Sequence, residues 1–145
     1  MAYKQQFSGK NYDDFKPPTK EDLIEILDGK NAQKLVKTAE DIAEKKLTTG
    51  PESKRVSTSQ IRNVYGTVKK LEMEGESDET VFKLVLLKPK LAYAAGRHSK
   101  IPGMKVLQDI LSDAIDLVSE KKERFNNFCK FFEAVLAYHK AHGGK

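Results

Sequence analysis

Apolar residues return along most of this chain at intervals of three and four, the spacing of one face of an α-helix. The clearest stretch is Val56–Glu74, where Ile61, Val64, Tyr65, Val68 and Leu71 form a single stripe. Ser57 and Gln60 precede it at capping-box spacing, and Val56 with Ile61 can staple the first turn. Upstream, Thr19 with Asp22 opens a helix carrying Leu23, Ile24 and Leu27, which Gly29 stops. Asn31 can cap a second helix, with Leu35, Val36, Ala39, Ile42 and Ala43 inward and Lys45-Lys46 suited to its C-terminal end. Thr48-Thr49-Gly50-Pro51 reads as a loop. After Gly75-Glu76-Ser77, with Ser77 or Asp78 as cap, residues 79–96 are the most apolar in the chain and read as a buried helix with Gly96 as its stop. Pro89 must kink that helix or split it in two. Lys88 on a straight helix would point into its apolar face. Arg97–Gly103 reads as a second loop. A fifth helix follows, with Met104, Leu107, Ile110, Leu111, Ala114 and Leu117. Past a charged stretch its continuation turns aromatic, with Phe125, Phe128, Phe131 and Phe132. That stripe is wider than one face needs and leaves room for a partner helix or a second protomer.

No period-2 alternation and no internal repeat occurs. The expected fold is all-α, a compact bundle of five or six helices forming a single domain over residues 19–142. Residues 1–18, with Phe7, Tyr12 and Phe15 spread ahead of Pro17-Pro18, read as an N-terminal arm, flexible or docking. Residues 143–145 read as a frayed tail.

At 145 residues the chain suits one domain with a sizeable core. No apolar run approaches the ~20 residues that span a bilayer, and the first residues lack an apolar signal core, so no membrane partner and a cytoplasmic location are expected. A single cysteine, Cys129, fits that compartment. The net charge of +5 is unevenly spread. Residues 1–53 hold 9 basic and 10 acidic side chains, residues 54–100 hold 10 and 5, and residues 101–145 hold 7 and 6. The excess lies in the middle third, which points to a polyanionic partner.

Catalytic constellations are poorly supplied. Cys129 falls on the apolar side of an aromatic helix, the setting of an inert packed thiol. His139 and His142 could share a helix face, but no third ligand lies near them in sequence. His98 could bond phosphate or water. The acids mostly sit three or four residues from lysines, as on a solvated face, and no glycine-rich phosphate loop occurs. The chain reads as no enzyme, with no cofactor and no metal.

Binding features are stronger. Arg62 and Lys69 lie on one flank of the Val56–Glu74 helix with Gly66 between them, and Lys83, Lys90 and Arg97 recur at sevens along the next. Two helices edged this way would form a cationic groove. Residues seven apart rise about 10.5 Å, comparable to about three phosphates along a strand. Lys83 is better explained as keeping a buried helix soluble. Arg97, just past Gly96, is placed to fork onto a phosphate. Tyr65 and Tyr93 are the aromatics that could stack on bases, and both also fit the core. Such contacts recognise backbone, not sequence.

Four segments carry a family likeness: Leu47-Thr48-Thr49, Ser57–Asn63, Leu87–Arg97 (Leu-Lys-Pro-Lys-Leu-Ala-Tyr-Ala-Ala-Gly-Arg) and Phe131–His139. Together, over roughly residues 47–140, they resemble the small subunit of type III-A CRISPR effector complexes, the Csm complex. The resemblance implies a non-catalytic helical bundle whose copies stack as an inner filament beside the subunits that hold guide RNA. It implies basic residues that hold guide and target RNA by their phosphates, with target cleavage left to other subunits. By position in the matching segments, RNA contact carries over to Arg62, Lys88, Lys90 and Arg97, with Lys54, Arg55 and Lys69 as a flank. Two other readings stand beside it. Gln60, Arg62 and Asn63 at a helix N-terminus would suit a helix-turn-helix DNA regulator. The aromatic C-terminal face would suit a protein-interaction adaptor.

Overall fold

The computed structural model describes residues 14–145, and among these the chain forms seven α-helices and no strand. They are α1 Lys20–Leu27, α2 Ala32–Ile42, α3 Thr58–Glu74, α4 Asp78–Val85, α5 Leu87–Arg97, α6 Pro102–Glu120 and α7 Phe125–Ala141. Helices α4 and α5 are separated only by Leu86 and together make one interrupted element, so the described residues form six helical members, within the expected all-α architecture. Phe7 and Tyr12 of the N-terminal arm lie outside the described residues. Phe15 packs against the core, with Lys46 Nζ 5.3 Å from its ring centre.

Side-chain caps start four of these helices, α1 to α4, where the sequence offers a capping residue. The Asp22 amide donates to Thr19 Oγ1 at 3.1 Å and the Thr19 amide to Asp22 Oδ2 at 3.0 Å. The Gln60 amide donates to Ser57 Oγ at 3.2 Å and the Ser57 amide to Gln60 Oε1 at 2.7 Å. Asn31 and Ser77 accept from Lys34 and Thr80. Each such cap is worth about 1 kcal/mol.

Pro89 is the third residue of α5, where a backbone N–H has no intrahelical acceptor. Its helix-breaking effect is absorbed by splitting the element at Leu86 rather than by kinking it. Gly96 does not stop the helix. Its φ is not positive, and α5 runs through it to Arg97. The turn is imposed from the other side, by Pro102 at the first position of α6 and the extended Ile101 before it. The connecting loop is therefore 98–101, shorter than the Arg97–Gly103 expected, and Arg97 closes a helix.

The core centres on α7. Phe125, Phe128, Phe131 and Phe132 are all fully buried, and Tyr65 of α3 meets Phe132 edge-on at 5.4 Å. The aromatic stripe is consumed within the chain, so the surplus face expected for a partner is not there. Among the described residues, the exposed large apolar side chains lie instead on α2, α3, the α4–α5 junction and α5: Val36, Met73, Phe82, Leu86 and Tyr93.

The N-terminal end of α7 closes off α1. Asn127 Nδ2 donates to the Leu27 carbonyl at 3.0 Å, while Arg124 bonds both Asp28, at 2.8 Å from Nε, and the Leu117 carbonyl, at 3.0 Å from Nη1. Gly29 turns the chain there with φ +73. After α2 the chain tightens into a π-helical turn, Ala43–Leu47, whose Lys46 carbonyl lies against Gly103 so closely that a Cβ there would collide with it. Leu47 then accepts from the Val56 amide at 2.9 Å, which sets the entry into α3. Beyond α7, Gly143 adopts φ +90 and the Gly144 amide donates to the His139 carbonyl at 2.7 Å. Residues 143–145, read from sequence as a frayed tail, thus begin with a glycine cap.

Candidate nucleic-acid interface

A groove runs between α3 and α5. Gln60, Asn63 and Thr67 form one wall, Lys90, Tyr93, Arg97 and His98 the other, and Val64, Leu87 and Ala94 the floor. It continues toward the α3 C-terminus past Lys70, Leu86 and Lys83, where Glu74 joins the lining. At about 100° per residue, Gln60, Asn63, Thr67 and Lys70 share one flank of α3. The opposite flank, with Tyr65, is turned to α7.

The capping box reaches into this groove. Gln60 Oε1 is taken by the Ser57 amide, so the Gln60 NH2 is the donor toward His98 Nδ1 at 3.2 Å. A neutral His98 then accepts at Nδ1 and carries its proton on Nε2.

Of the seven residues singled out in the sequence, the groove gathers two. Lys90 and Arg97 line it, both exposed, and neither makes an ion pair with any described residue. Arg62 is exposed but does not line the groove, since it points about 160° away from the buried direction of Val64. Lys69 shares that outer flank and is paired with Glu72 at 3.0 Å, a hydrogen bond that raises its pKa. Lys88, awkward in the sequence, reaches across to Asp116 of α6 at 2.5 Å. Lys54 sits exposed on a 3₁₀ turn, Glu52–Lys54, and Arg55 Nε donates to the Gly50 carbonyl at 2.7 Å. Lys83 is held by Glu74 at 3.1 Å and Glu79 at 3.4 Å.

The groove between two edged helices therefore exists, but α3 enters it through a different flank from the one carrying Arg62 and Lys69. Lys70 is the cation the sequence reading missed. Its spacing from Gln60, Asn63 and Thr67 was a sufficient signal once that polar flank was considered.

The remaining reactive side chains are committed elsewhere. Cys129 is 3% exposed, and burial pushes its thiol up to about 12, so it stays protonated at neutral pH. The two C-terminal histidines face different partners. His139 is fully buried and donates from Nε2 to the Val56 carbonyl at 2.8 Å, whereas His142 Nε2 lies 3.2 Å from Glu40 Oε2.

A family profile described as Csm2 Type III-A matches residues 29–145, from the turn after α1 to the end of the chain. The chain belongs to this family. A Streptococcus thermophilus relative described as "CRISPR system Cms protein Csm2" is 30% identical over 93 residues, 62% of this chain and 75% of its own. No solved structure matches. Membership of the Csm2 family agrees with the resemblance read from residues 47–140 and extends it upstream through α2. The four segments that carried it include residues of both walls of the groove, Gln60 and Asn63 within Ser57–Asn63 and Lys90, Tyr93 and Arg97 within Leu87–Arg97. No helix among the described residues is long and apolar enough to cross a membrane.

Proposed function

We propose that this Csm2-family chain is a non-catalytic, RNA-binding structural subunit of a type III-A CRISPR ribonucleoprotein in the cytoplasm. It holds guide and target RNA by phosphate contacts in the α3/α5 groove and stacks with further copies and other subunits as an inner filament. The observation that carries the RNA contact is the composition of the groove where Lys90 and Arg97 line it. Among the described residues, these two cations have no carboxylate partner and face amides and a hydroxyl, and no acid lines that stretch. Phosphate contacts position a strand without reading its sequence, which suits a subunit that must accept any target. Lys70 extends the positive edge. Arg62 and Lys54, exposed on neighbouring surfaces, would guide a strand toward it. Lys69 and Lys88 would have to leave Glu72 and Asp116 before they could contribute. Phe82 and Leu86, 65% and 55% exposed at the α4–α5 junction, offer apolar surface for contact with other subunits.

The DNA-regulator reading loses support because Gln60, which would have to present its amide to a base edge, is held by Ser57 and His98. The test is binding of fluorescein-labelled RNA by the full chain across a salt series. Replacing Lys90 and Arg97 together by glutamine is expected to lower the slope of log K against log salt by one to two, at about 0.7–0.9 per phosphate contact. An unchanged slope would remove these residues from the interface.

A further inference from the structure

We infer that Tyr93 is a stacking platform for an unpaired nucleobase, so that the groove takes RNA with at least one base unpaired in addition to holding phosphates. This rests on the phosphate-holding reading above. Lys90, Tyr93 and Arg97 stand at i, i+3 and i+7 on α5, within about 60° of one another around the helix. Along the axis they span about 10.5 Å. The order is cation, aromatic, cation, all three on the groove wall. That order matches how single strands are held, with cations tracking phosphates and a ring receiving the base between them.

The two tyrosines that sequence left equivalent are now separated. Tyr65 is packed edge-on against Phe132 at 5.4 Å. Tyr93 is 68% exposed, so its ring adds little to the chain's own core. Across the groove, the Asn63 side-chain amide makes no hydrogen bond with any described residue and lies where it can meet a base edge or a ribose hydroxyl. A continuous duplex keeps its base faces stacked inside and offers phosphates and edges only. An exposed ring between two phosphate-seeking cations therefore fits a base that has left the stack.

The test measures the Kd of the full chain for a labelled 12-nucleotide RNA, the same RNA with abasic positions, and a paired duplex. It compares wild type, Tyr93→Phe and Tyr93→Ala. Wild type should favour the base-bearing strand over both other probes. Tyr93→Phe should bind that strand within about two-fold of wild type, and Tyr93→Ala at least about five-fold more weakly, the low end of one base–aromatic stack. The salt slope of Tyr93→Ala should match wild type, because no cation is lost, and its affinity for the abasic strand should be unchanged. Equal affinity of wild type and Tyr93→Ala for the base-bearing strand would overturn the inference. So would an equal loss on the abasic strand. Should wild type bind none of the probes at low salt, the phosphate-holding reading falls with it. Should Lys90→Gln with Arg97→Gln lower the slope while Tyr93→Ala binds normally, stacking alone falls.

Discussion

Replacing Arg124 by methionine keeps the aliphatic stem and removes the guanidinium that ties α7 to the end of α1. Arg124 and Asp28 are 11% and 13% exposed, and their bond is 2.8 Å long with a weaker second contact at 3.5 Å. Asp28 caps the C-terminal end of α1, the end where the helix dipole disfavours an anion. Removing one partner of a buried pair typically costs about 3–5 kcal/mol, because a charge is left without compensation. Here Lys121 Nζ, 3.8 Å from Asp28 Oδ1, supplies part of the lost attraction. The Leu117 carbonyl also loses its donor. A loss of about 2–4 kcal/mol results, or roughly 5–15 °C in Tm for a domain of this size. Urea denaturation followed by circular dichroism measures it. A double-mutant cycle with Asp28→Asn should return a coupling of at least about 1.5 kcal/mol. The pH dependence carries a sign. The Arg124 hydrogen bond, opposed by burial, holds the Asp28 carboxyl below its usual range. Its contribution is therefore complete above the unfolded value of about 3.9 and lost as pH falls through the depressed folded one. The advantage of wild type over Asp28→Asn should shrink below about pH 4. A cost under about 1 kcal/mol for Arg124→Met, or a coupling near zero, would refute this account of the α1–α7 junction.

Two glycine substitutions should act in opposite directions. Gly103→Ala would drive a Cβ into the Lys46 backbone carbonyl and to 2.9 Å from Val56 Cγ2. A carbonyl held in a π-turn cannot step aside, so a loss of at least about 2 kcal/mol is expected in the same urea assay. Gly66→Ala, mid-helix with nothing within 4 Å of its Cβ position, should gain about 0.5–1 kcal/mol through helix propensity and a less flexible unfolded chain.

What could be read from the sequence was local. The caps at Thr19, Asn31 and Ser57 involve partners three residues away and form as read, and of the two candidates Ser77 and Asp78 it is Ser77 that caps α4. Pro89 announced a break, and only the choice between kink and split waited for coordinates. The readings that failed depended on partners far along the chain. Lys88 looked misplaced because Asp116, its partner, is 28 residues on and on another helix. Gly96 looked like a helix stop because the actual cause of the turn, Pro102 starting α6, lies beyond it. The phase of α3 was the consequential miss. Apolar periodicity locates the buried stripe but does not say which flank meets which neighbour. Tyr65 sends one flank to Phe132 of α7, so α5 is left with Gln60, Asn63, Thr67 and Lys70. The Phe stripe of α7 looked excessive because the helices that cover it, α2 and α3, lie more than fifty residues upstream.

The most direct test of the central claim is photo-crosslinking of the reconstituted type III-A complex loaded with guide and target RNA carrying 4-thiouridine, with the adducts on this chain mapped by mass spectrometry. Adducts on peptides spanning Gln60–Lys70 and Lys90–His98 are the predicted result. Adducts confined to α6, α7 or the Lys54–Arg55 turn, with the α3 and α5 peptides clean, would contradict it.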